Sequence, residues 1–115
     1  MGMSPQWPRL TKPTLAVLDV LMQATDDDPV WGFRICERAD LGSGTVYPIL
    51  DRLAELGWIE ATWEAEQPRG RPRRRLYQMT GLGRTEFPSA RAERDSRRRR
   101  WLPGYGSAPA PGGPA

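Results

Sequence analysis

Histidine is absent from the 115 residues, and cysteine occurs once, as Cys36. Without histidine the chain lacks the usual general base, the commonest metal ligand and the usual partner of a nucleophilic serine or cysteine. Carboxylates remain for acid and base chemistry, but they are scattered along helix-like surfaces or bunched in Asp26-Asp27-Asp28, with no pair beside a recognisable substrate loop. An enzyme is therefore the least favoured class, and the residues suggest no cofactor. A lone thiol closes no intrachain disulfide and builds no multi-thiolate zinc site, so no metal is expected and the cytoplasm is the expected compartment. Cys36 itself reads as a small inner-facing hydrophobe. Long apolar runs are missing too, and Met1-Gly2-Met3-Ser4-Pro5 does not lead from a basic stretch into an apolar one, so neither export nor a membrane is expected.

What is present is arginine, unevenly laid out. The net charge of +3 hides four blocks. Arg9 and Lys12 make the first positive, whereas residues 13–66 hold eleven acids against Arg34, Arg38 and Arg52. Residues 67–75 then carry Arg69, Arg71, Arg73, Arg74 and Arg75 with no acid, and residues 76–115 hold seven arginines against three acids. Basic clusters on an acidic body suit a polyanion approached in one orientation, because one face attracts what the other repels.

The apolar pattern predicts one domain. Residues 1–10, with Pro5 and Pro8 around Trp7, read as an extended arm. A first helix runs from about Thr11, with Thr11 or Thr14 as its cap and Leu15, Leu18, Leu21 and Met22 on one face, to about Gln23. Pro29 is suited to the first position of a second helix, Pro29–Ala39, whose inner stripe is Gly32, Ile35, Cys36 and Ala39. A turn with a Ser or Thr cap leads into the third helix, where Val46, Ile49, Leu50, Leu53 and Leu56 share a face and Gly57 supplies the stop. Ile59, Ala61 and Trp63, then Arg75, Tyr77 and Met79, alternate as two half-buried strands, with Trp58 and Trp63 where the strands meet the core. Thr80 can cap a fourth helix over 81–102, weakened by Gly81, Gly83 and above all Pro88, and the residues leave open whether it continues past Pro88 or breaks there. Residues 103–115 are Gly/Pro/Ala-rich and read as a disordered tail. Three helices followed by a two-stranded antiparallel wing over residues 11–80 describe a mainly helical, winged helix-turn-helix domain that binds DNA.

In such a fold the N-terminal residues of the third helix read base edges. Here they are Ser43, Gly44, Thr45, Tyr47 and Pro48. Ser43 and Thr45 offer hydroxyl donors, although Ser43 serves equally as a cap; Tyr47 offers a phenol from the polar face, and Gly44 permits close approach. Arg52 either pairs with an acid or touches the DNA backbone. Gly42-Ser43-Gly44-Thr45 lacks the lysine and spacing of a nucleotide-binding phosphate loop. The wing loop carries the sharper signal. Pro68-Arg69-Gly70-Arg71-Pro72-Arg73, with Arg74 following, resembles an AT-hook: glycine lets the backbone approach the minor-groove floor, prolines hold it extended, and arginines sense the groove's negative potential.

Three stretches in order resemble the PadR family of bacterial transcriptional regulators. Val30-Trp31-Gly32-Phe33-Arg34-Ile35 resembles the family's aromatic-Gly-aromatic opening of helix two, Gly44-Thr45-Val46-Tyr47-Pro48-Ile49-Leu50 with Leu53 its recognition-helix signature, and Gly70-Arg71-Pro72-Arg73-Arg74-Arg75-Leu76-Tyr77 with Thr80 its wing and return strand. The resemblance implies a homodimeric repressor that occupies an operator and is often released by a small-molecule effector. For this chain the expected dimer contact is the broad face of helix one, Leu15, Leu18 and Met22, completed by Phe87 and Trp101. Residues 81–100 are poorer in apolar residues than the long C-terminal helices of many relatives. The alternatives are a non-specific architectural DNA-binding protein relying on the wing, or a winged-helix adaptor that binds an acidic protein.

Overall fold

A computed structural model describes residues 7–65 and 69–101. The elements run α1 (Lys12–Gln23), β1 (Val30–Trp31), α2 (Gly32–Ala39), α3 (Ser43–Glu55), β2 (Ile59–Trp63), β3 (Arg75–Met79) and α4 (Gly81–Trp101). Helices dominate, with one small antiparallel sheet ordered β1-β3-β2.

Thr11 caps α1, its hydroxyl accepting the Thr14 amide at 3.3 Å. Val17, Leu18 and Leu21 then project into a core shared with Ile35 of α2 and Val46, Leu50 and Leu53 of α3. Each such side chain contributes about 1.5–3 kcal/mol on burial. Thr80 caps α4 as its position suggests: the Thr80 hydroxyl accepts the Gly83 amide at 3.0 Å and donates to the Gly57 carbonyl at 2.6 Å. Gly83 lies so close to the Trp58 carbonyl that a Cβ there would overlap it, which brings α4 directly onto the start of β2.

Several expectations are corrected. The second helix does not begin at Pro29. Val30 and Trp31 instead pair with Tyr77 and Leu76 as a third strand, so the sheet has three strands rather than two. Val30 is fully buried, and a β-branched residue followed by an aromatic one fits a strand edge well. α3 starts at Ser43 behind Gly42, with no side-chain cap from Ser43 or Thr45. Trp58 is buried, but Trp63 is 59% exposed, with the Arg75 guanidinium 5.9 Å from its ring centre. Where the residues leave both courses open at Pro88, α4 runs through without a break, because the exposed proline costs one backbone hydrogen bond while Phe87 and Ala90 on either side are anchored in the core. Gln67, Pro68 and the expected tail over 103–115 lie outside the described residues.

The chain segment before α1 is tied to α4. The Trp7 indole donates to Glu86 at 2.6 Å, the Arg94 guanidinium donates to the Leu10 carbonyl at 2.7 Å, and Arg91 pairs with Asp19 of α1 at 2.8 Å. Of the residues expected at a dimer contact, Leu18 and Phe87 belong to the chain's own core, which removes them from the candidate interface. Leu15 and Met22 are half-buried, and Trp101 is 80% exposed.

Candidate nucleic-acid interface

α3 keeps its polar side outward, as its periodicity requires. Ser43, Gly44, Thr45, Tyr47, Pro48 and Arg52 are all exposed, while Val46, Leu50 and Leu53 hold the helix down. Pro48 has no amide to donate to the Gly44 carbonyl, so that carbonyl lacks its helical partner at the exposed N-terminal end. Tyr47 is 41% exposed, and its position depends on a residue outside α3. The Tyr47 hydroxyl and ring lie over Gly32, where any Cβ would collide with them. The glycine at the start of α2 thus leaves the slot in which the phenol rests. The Tyr77 phenol lies nearby on β3, its pKa raised by burial first, with smaller contributions from Tyr47 and Asp51.

The wing loop joins β2 to β3. Arg69, Gly70 and Arg73 are exposed at its described end. Gly70 has φ +80°, a left-handed conformation that a side chain would strain. Arg71 and Arg74 are used differently. Arg71 grips Glu64 with both guanidinium nitrogens, at 2.9 and 3.1 Å. The same carboxylate accepts the Arg74 amide at 2.8 Å, and the Arg73 side chain donates to the Glu64 carbonyl at 3.3 Å. The Arg74 guanidinium stacks over Trp31 at 3.8 Å from the ring centre, and Arg34, paired with Asp28 at 3.1 Å, approaches the same ring at 5.0 Å. Among the wing candidates, then, Arg69 and Arg73 are the exposed ones, Arg73 with one bond to the Glu64 carbonyl, whereas the half-buried Arg71 and Arg74 fasten the loop to the body.

Trp31 and Gly32 stand out in the sequence only within a signature stretch or a helix stripe, and Glu64 in neither; their supporting roles beside Arg74, Tyr47 and Arg71 come from the structure. For Glu64 a signal existed: continuing the β2–β3 register one pair beyond Trp63 and Arg75 sets Glu64 against Arg74, an acid at the root of an arginine run. Hydrogen bonds from Arg71, and then from the Arg74 amide, lower its carboxyl pKa from 4.5 to about 2. Because the folded value is the lower one, the clamp's stabilisation is complete above about 4.5 and is lost as pH falls through about 2. The stability difference between wild type and Glu64→Gln should therefore be flat above that range and shrink below it. Carbon-detected NMR titration of the Glu64 carboxyl should give a midpoint near 2; a midpoint near 4.5 would show that the clamp is not formed.

Among the described residues no helix is long and apolar enough to cross a membrane, and no cluster of His, Cys, Asp or Glu forms a metal site. Residues 20–89 match the transcriptional regulator PadR-like family. No curated protein matches the sequence. Solved structures do. A PadR family transcription regulator from Clostridium difficile superposes with a TM-score of 0.59 at 20% identity, over 76% of this chain and 92% of that one. A PadR family transcriptional regulator from Eggerthella lenta gives 0.56 at 26% identity, over 72% and 73%. A PadR-like transcriptional regulator from Bacillus cereus gives 0.52 at 19% identity, over 80% and 91%. With the family match spanning more than half the chain, this protein belongs to the PadR-like family of transcriptional regulators.

Proposed function

We propose that the chain is a sequence-specific, cytoplasmic DNA-binding repressor without a catalytic step, acting as a homodimer on a pseudo-palindromic operator. The observation that supports this reading is the exposure of two linked elements: the N-terminal half of α3, whose Tyr47 rests on Gly32, and a wing that shows Arg69 and Arg73 with no acid between them and whose Arg74 stacks on the adjacent Trp31. An α-helix fits the major groove, about 12 Å wide, and an arginine loop suits the adjoining minor groove, where narrow A·T tracts concentrate negative potential. Ser43, Thr45 and Tyr47 then meet base edges or phosphates, while Gly44 and Pro48 let the backbone come close. One such domain covers one half-site, so useful specificity requires two copies related by a two-fold axis. Of the residues expected at that contact, Leu15, Met22 and Trp101 keep accessible surface to support it.

Footprinting on DNA selected from random sequence is the test. The expected result is protection of two half-sites with centres one helical turn apart, roughly 10 base pairs or a multiple, with minor-groove protection beside each. Tyr47→Ala should abolish this pattern at concentrations that leave non-specific binding intact. Uniform protection with no preferred sequence would instead identify an architectural protein, and absence of duplex binding would favour a protein-binding adaptor.

A further inference from the structure

The outward side of α3 has two flanks. On one, Tyr47 rests on Gly32, directly after the β1 strand that pairs with β3 of the wing. On the other, Pro48 and Arg52, one helical turn apart, line a groove of about 240 Å³ whose opposite wall is the chain before α1, including Pro8 and Arg9. The floor is apolar, with Ile49 and Leu53, and no carboxylate lines it. Among the described residues neither Arg9 nor Arg52 has a carboxylate within ion-pair distance, whereas Arg34, Arg71 and Arg91 are each held by one. Two cations beside an apolar floor, with no acid to neutralise them, match a sugar-phosphate strand: the guanidinium forks take phosphate oxygens, and the prolines and Ile49 accept the deoxyribose.

We propose that this groove is a second backbone clamp, in which Arg9 and Arg52 hold phosphates of the DNA strand opposite the one that the wing follows. The inference rests on the reading of α3 as the major-groove helix. A helix with its side chains is about 10–12 Å across and nearly fills that groove, so its two flanks face the two bounding backbones. The wing meets one, and the segment before α1 meets the other. That segment is held in place by α4, through the bonds of Trp7 to Glu86 and of Arg94 to the Leu10 carbonyl.

The experiment uses the full chain and a labelled duplex, with affinity measured over a salt series. The Arg9→Ala/Arg52→Ala variant should reduce the log–log salt slope by about 1.8, at roughly 0.9 per phosphate contact, on operator and random DNA alike. Arg9→Gln, at an exposed position outside the helices, should give about half that change and reads the same effect even if the double variant folds poorly. Arg84→Ala, an exposed arginine lining a different cleft at the other end of α1, should leave the slope unchanged. A wild type with a steep slope that the arginine substitutions do not alter would overturn the clamp alone. A wild type without duplex affinity would overturn the α3 reading with it. Replacing chloride by phosphate at equal ionic strength should change nothing, and specific competition by inorganic phosphate would overturn the clamp in favour of a small-anion site.

Discussion

Leu18→Glu is expected to unfold the protein. Leu18 sits at the middle of α1 with no exposed surface, among Val17, Leu21 and the inner residues of α2 and α3. The substitution forfeits the burial of the leucine, about 1.5–3 kcal/mol. It also places in the core a carboxyl that must either remain charged without a partner or take up a proton, a further cost of several kcal/mol. Small domains are stable by only about 5–15 kcal/mol, so the sum consumes most of the margin. Circular dichroism should show no cooperative melting transition. A folded, monomeric Leu18→Glu protein would mean that Leu18 faces a partner and would refute the packing described above. Leu15→Glu, on the half-buried side of the same helix, is the complementary variant: it should fold, and its sedimentation coefficient then reports whether that face joins two protomers.

The second large effect concerns the wing, and the three arginines are not equivalent. Arg69→Ala/Arg73→Ala should flatten the salt dependence of DNA binding by about 1.8 on the log–log slope, so that over a fourfold rise in salt the variant loses roughly 12-fold less affinity than wild type. Arg71→Ala should leave the slope almost unchanged, because its guanidinium is already committed to Glu64 in the free protein. It should act instead by loosening the loop, and Glu64→Gln should reproduce its effect on affinity. If Arg71 left Glu64 for the DNA, the triple alanine variant would lose about 2.7 from the slope rather than 1.8. Fluorescence anisotropy across five salt concentrations separates the two outcomes.

Local signals account for what was legible in the residues. The apolar stripe of α3, the caps at Thr11 and Thr80 and the alternation in β2 and β3 are set by near neighbours, so period and capping chemistry find them directly. Non-local pairing accounts for what was missed. Nothing around Pro29 shows that Val30 and Trp31 will meet Tyr77 and Leu76 across the chain, and a helix-compatible proline points the other way. Burial is equally non-local: Leu18 and Phe87 look like surplus apolar surface until α2, α3 and Trp58 are placed against them. Pro88 shows the opposite case, a strong local breaker overridden because Phe87 and Ala90 fix the helix on both sides. At the candidate interface, the arginine-rich composition pointed to the loop but could not distinguish the arginines facing outward from those holding the loop in shape.

The stacking of Arg74 on Trp31 has a geometric consequence. Trp31 belongs to β1, pairs with Leu76 of β3 and leads straight into α2, whose Gly32 supports Tyr47. The base of the wing and the reading side of α3 are therefore braced through one two-residue strand, which makes them a ruler of fixed length rather than two independently swinging parts. DNA turns by about 34–36° with each base pair, at 10–10.5 base pairs per turn. If α3 and the wing meet DNA as proposed, a rigid ruler would accept only one helical phase between the bases at α3 and the tract at the wing, so the protein would tell sites apart by the interval between two elements as well as by the bases in either.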